Sequence, residues 1–151
     1  MPIFRSLATN VFPLFREEVQ VARYLAFPES VSGITIPGPG RGISDRHLQF
    51  DVPGLVEGSL AVVFLQTTPH SPEVTFSVRL NNVPHLVKHT VTEGRIQTWH
   101  ELTPPGALKA ERNELVLAVS EGNMTFADLF ILYTSNQLTI KKPNVIVVAD
   151  Q

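Results

Sequence analysis

The sequence predicts an all-β protein, an antiparallel β-sandwich of about eight to ten strands. Three observations carry that prediction. Side chains alternate between apolar and polar over many short runs, most clearly in 74–80, where Val74, Phe76, Val78 and Leu80 face one way and Thr75, Ser77 and Arg79 the other. Turn signals recur about every eight to twelve residues. The stretch 95–133 reads as three consecutive strands, 96–102, 113–120 and 124–133, punctuated by Pro104-Pro105-Gly106 and by Glu121-Gly122-Asn123.

Composition narrows the class further. A chain of 151 residues fits one domain, 1–151, with residues 1–15 as an N-terminal arm. Hydrophobic residues at 43% and charged residues at 17% supply enough apolar surface for a folded core. Net charge is −2, so there is no global positive field to attract nucleic acid or an anionic membrane. No apolar run approaches the roughly 18 residues of a bilayer span. Without cysteine there is neither a disulfide nor a thiolate nucleophile, which fits a reducing compartment, with the cytoplasm as the default.

In chain order, the arm MPIFRSLATNVF carries Ile3, Phe4, Leu7 and Val11 and is expected to dock on the core or on a partner. Residues 17–27 fit a helix with Phe15, Val19, Ala22 and Ala26 on one side. They also fit a strand in which Val19, Val21, Leu25 and Phe27 share a face with Arg23 intruding, and the β-rich context favours the strand. A short alternating run, 31–36, ends at Pro37-Gly38-Pro39-Gly40-Arg41-Gly42. Proline removes backbone donors that a phosphate cradle needs, so this is read as a loop able to rim a binding surface. In 47–52, Leu48, Phe50 and Val52 point inward and His47, Gln49 and Asp51 outward.

Residues 60–65, LAVVFL, are apolar on both faces, which predicts a central strand covered on each side or the middle of a sandwich where an extra layer packs. Residues 67–73 read as a polar loop. Asn81-Asn82 turns 74–80 into 85–91 as a hairpin, because asparagine tolerates left-handed backbone angles. Two short strands, 138–140 and 145–148, close the chain.

The segment WHELTPPGALKAERNELVLAVSEGNMTFADLFILY resembles the C-terminal half of galactose-binding-like jelly-roll domains through Leu108, Lys109, Asn113, Leu115, Leu117, Asp128 and Leu132. FSVRLNNVPHL is similar to the preceding hairpin of those domains. The resemblance implies jelly-roll topology and a binding module for carbohydrate or protein. Glu111-Arg112 departs from the pattern, which commonly has a glycine before the asparagine.

For chemistry, Trp99 is the single tryptophan. With Ile96, Thr98, His100 and Leu102 inward, Trp99 faces out as a stacking platform for a sugar ring, whereas a one-residue slip or a bulge buries it. Arg46, His47 and Asn123 are the accompanying ligand-binding candidates. His85 and His89 are about 13 Å apart along one strand, too far to share a metal ion. No G-x-S-x-G elbow, facing carboxylate pair or H-x-H metal motif is present, so the expectation is a protein without catalysis, cofactor or metal. Two functions follow as expectations: recognition of a carbohydrate through loops or an exposed sheet face, or a structural assembly subunit, a homo-oligomer among the options, engaging protein partners.

Overall fold

The computed structural model describes residues 19–40, 44–137 and 145–148. It is all-β: β1 Val21–Ala26, α1 Pro28–Val31, β2 Ile34–Ile36, β3 Asp45–Phe50, β4 Val62–Pro69, β5 Glu73–Leu80, β6 Val83–Thr92, β7 Gln97–Leu102, β8 Asn113–Glu121, β9 Met124–Ser135 and β10 Val145–Val148. They form two antiparallel sheets. The front sheet has the order β1-β9-β4-β7, with β2 also on β9; the back sheet runs β10-β3-β8-β5-β6. Among the described strands only β5 and β6 pair with their neighbour in sequence; β1 and β2 both join β9 in the front sheet, and from β2 onward every other step to the next strand changes layer.

The core lies between the sheets, where inward residues interdigitate. Leu65, Phe126, Leu129 and Ile131 of the front sheet meet Leu48, Phe76, Val78 and Leu117 of the back sheet, all essentially solvent-free. The Phe76 and Phe126 rings meet edge to face at 5.7 Å, tying the layers at their centre.

Most predicted strands form, and the differences have local causes. Within 17–27 the strand expectation holds for Val21–Ala26, and Arg23, on the inward side of this edge strand, turns its guanidinium to donate to the Gln137 carbonyl. Run 31–36 is a strand only from Ile34. Pro28 instead starts α1, where a fixed φ suits the first helical position, and Val31 is left exposed. The polar segment 67–73 is mostly strand: β4 continues to Pro69, paired with Met124, because Thr67 and Pro69 keep the alternation with their side buried. The arm 1–15 and strand 138–140 lie outside the described residues, whereas 145–148 pairs with β3.

The loop before β8 shows why its residues resemble a known pattern. Asn113, 1% exposed, donates from Nδ2 to the Lys109 and Phe50 carbonyls, and its Oδ1 accepts from the Lys109 N–H and from Asn81 Nδ2. Asn81 in turn accepts the Glu114 N–H. Arg112, where a glycine was expected, adopts φ 57, and its N–H donates to Asp51 Oδ1 at 2.8 Å. The left-handed conformation is retained although the residue is not glycine.

The period of two breaks once in β9. Asp128 has φ 48, and the pairing with β4 slips between Phe64 and Gln66. This bulge lets Phe126 and Leu129, three residues apart, both point inward. Beyond it, Phe130 and Leu132 point outward.

Candidate functional site: the outer face of the front sheet

The front sheet is apolar on its outward side as well. Pairing across four strands aligns Tyr24, Leu132, Val62 and Leu102 in one row and Ala26, Phe130, Phe64 and His100 in the next. Gln66, Thr98 and Ala127 follow. Rings join along the second row: Phe130 and Phe64 stack at 4.6 Å, Tyr24 meets Phe130 edge-on, and His100 flanks Phe64. Tyr24 at 71%, Leu102 at 61% and Ile96 at 66% are largely in water. None of these outward positions carries a formal charge.

A cleft of about 530 Å³ adjoins this stripe between α1, the end of β1 and the middle of β9. Tyr24, Ala26, Val31, Leu129 and Phe130 form its apolar walls. Ser30 braces it from behind, its Oγ donating to the Phe27 carbonyl and accepting the Leu129 N–H. The exposed carboxylate of Asp128 stands on the rim, and among the described residues no cation pairs with it.

The four residues expected to bind ligand are distributed elsewhere. Trp99 faces the opposite way to the sugar-platform expectation: Gln97, Trp99 and Glu101 turn inward while Thr98, His100 and Leu102 are exposed. The indole packs edge-on against Phe76, stacks with His89 at 4.3 Å, and donates from Nε1 to the buried Thr67 hydroxyl at 2.8 Å. Burying the largest side chain of the strand with its N–H satisfied outweighs burying Leu102 at the strand's end.

Arg46 pairs with Glu29 of α1 at 3.3 Å. His47 lies on the outer face of the back sheet, with Nδ1 3.2 Å from Glu114 and Nε2 3.5 Å from Asp45. Burial pushes the Glu114 carboxyl up, but hydrogen bonds and charge from His47 and Arg79 together outweigh it and hold it below the ordinary glutamate value. Asn123 sits in the β8–β9 turn, where its Oδ1 accepts the Gly38 N–H. Arg46 and His47 adjoin in β3 but point to opposite sides, so the four converge on no common surface.

The residues that do converge, Tyr24, Phe64, Phe130, His100, Leu102 and Leu132, were missed as a site. One signal was present: LAVVFL is apolar on both faces. The bulge at Asp128 concealed the other, because uninterrupted alternation misplaces Phe130 and Leu132.

Among the described residues no three His, Asp or Glu side chains converge to hold a metal ion, and no helix is long and apolar enough to cross a membrane. Compared with protein families and with curated proteins, the chain matches no family model and no curated relative.

Proposed function

We propose that the chain is a non-catalytic assembly subunit whose outer front face packs against the same face of a second copy. One observation carries this reading: an unbroken apolar and aromatic stripe crosses four strands with no formal charge. Its size alone does not decide the matter. Four strands by about three outward positions span roughly 400 Å², the scale of the largest patch on an ordinary monomer. The absence of charge is more telling, because interface centres are depleted in charged residues and enriched in aromatics. Rows without formal charge also meet their own copies across a two-fold axis without like-charge repulsion.

Carbohydrate recognition draws less support. A sugar ring stacks on an open aromatic face, yet Phe64 and Phe130 turn theirs toward each other and Trp99 is turned inward. For the fold, we read the order β2-β9-β4-β7 over β3-β8-β5-β6 as a jelly roll of galactose-binding-like type. The interleaved strands and the Lys109–Asn113 loop support that reading.

Static light scattering on the full chain tests the assembly reading. The wild type is expected to dimerise at micromolar concentration, and Phe64→Glu and Tyr24→Lys, each with wild-type circular dichroism, to be monomers. A wild type that stays monomeric at hundreds of micromolar overturns the reading, as does association that neither variant weakens. A glycan array bound by the wild type and lost in Phe64→Glu favours the carbohydrate reading instead.

A further inference from the structure

The cleft between α1, β1 and β9 owes its depth to one small residue. In the row Ala26, Phe130, Phe64 and His100, Phe64 stacks on one face of the Phe130 ring at 4.6 Å, and the other face is turned toward β1. There the register partner is Ala26, whose methyl is too small to cover it. Tyr24 meets Phe130 edge-on from the next row, and Val31 of α1 adds a further wall. The concave space is about 530 Å³, within the roughly 300–1,000 Å³ of ordinary small-molecule sites.

Its one charged side chain is an acid. The β9 bulge holds Asp128 at φ 48 with its carboxylate exposed on the rim, and among the described residues no cation pairs with it. An aromatic face beside an uncompensated carboxylate favours a cation, the ring through its quadrupole and the carboxylate through its charge.

Hydrogen-bonding capacity narrows the kind of cation. A primary ammonium brings three N–H donors. Ser30 Oγ is already engaged with the Phe27 carbonyl and the Leu129 N–H, so beyond Asp128 the lining side chains offer only the Tyr24 hydroxyl. A quaternary ammonium has no donor to satisfy, and its methyl groups suit apolar walls. We propose that the cleft binds a free quaternary ammonium ion with an apolar body, its methylated nitrogen over the open face of Phe130 beside Asp128 and its body along Tyr24 and Val31. The cleft is several times larger than a trimethylammonium head, which leaves space for an aryl or short alkyl body. The site is built within one chain, so it goes beyond the assembly reading and does not depend on it.

NMR titration of the full chain with benzyltrimethylammonium tests this, with benzylamine and benzyl alcohol as comparisons. Saturable shifts confined to 24–31 and 126–131 are expected, with a Kd of about 0.1–1 mM. Benzylamine should bind about fivefold and benzyl alcohol more than about tenfold more weakly. Asp128→Asn, which keeps a residue tolerant of positive φ, should weaken binding about tenfold, and Ala26→Leu, at an exposed position, should fill the space over Phe130 and abolish it. The titration is repeated on Leu102→Lys, which lies on the opposite edge strand and would open a face-to-face dimer without touching the cleft. Binding in the wild type or in this variant supports the site. No saturable shifts in either, shifts that fall elsewhere, equal affinity for benzylamine or benzyl alcohol, or affinity unchanged by Asp128→Asn or by Ala26→Leu overturns the proposal and leaves the assembly reading standing. Phosphatidylcholine vesicles that sediment the chain when the soluble cation does not bind also overturn it, in favour of a lipid surface. A wild type that light scattering shows to be monomeric overturns the assembly reading alone.

Discussion

Replacing Asn113 by alanine tests whether the loop before β8 is held by one buried amide. The side chain is 1% exposed and makes four hydrogen bonds, two as donor and two as acceptor. Alanine leaves the part-buried Lys109 N–H without its acceptor, at roughly 1–3 kcal/mol for a donor left unsatisfied. The remaining bonds add about 1 kcal/mol together, since Asn81 keeps the Ala107 carbonyl as a partner. The expected loss is therefore about 3 kcal/mol, a sizeable part of an ordinary 5–15 kcal/mol, with Tm falling by roughly 6–12 °C. Urea denaturation followed by circular dichroism measures it. Asn113→Asp sharpens the test: it keeps the Oδ1 contacts but aims a carboxylate oxygen at the Lys109 and Phe50 carbonyls. It should be as damaging at neutral pH and recover partly as the carboxyl protonates. A loss below about 1 kcal/mol for Asn113→Ala refutes the reasoning.

Other outcomes follow from single contacts. At the left-handed position before the asparagine, Arg112→Gly should raise stability by about 0.5 kcal/mol, whereas Arg112→Val, β-branched at φ 57, should lower it by more than about 1 kcal/mol; thermal melts order the three proteins. Thr67→Val should lower stability by about 1–2 kcal/mol in urea melts, because it keeps the volume but strips the Trp99 N–H of its acceptor. Gly38→Ala would drive a methyl into the Gly122 carbonyl, so loss of the native melt or a Tm drop is expected. For Glu114, the folded-state pKa is lowered, so its contribution is present above the ordinary value of about 4.3 and is lost as pH falls through the folded value. Between neutral pH and pH 3, Glu114→Gln should therefore lose less stability than the wild type.

The sheets were legible because their signals are local. Val74, Phe76, Val78 and Leu80 alternate without interruption, and Asn81 turns the chain where an asparagine can adopt φ 48. The Lys109 to Asn113 loop was legible as a pattern, although the hydrogen bonds behind it join segments thirty and sixty residues apart. The facing of Trp99 was not legible. A strand with Ile96 and Leu102 on one side and Trp99 on the other has no decisive apolar face, and its register is set by Leu65 and Thr67 across the sheet. Nor was the outer stripe, since it needs four strands in register and a bulge at Asp128 that no run of residues announces.

The central claim is that the outer front face is covered by another copy, and carbene footprinting across a dilution series probes it most directly. As the protein is concentrated from nanomolar to high micromolar, labelling of Tyr24, Ile96 and Leu102 should fall together while His85, exposed on the back-sheet edge strand, stays constant. Labelling of those three residues that is independent of concentration, or protection that forms on the back sheet instead, contradicts the account.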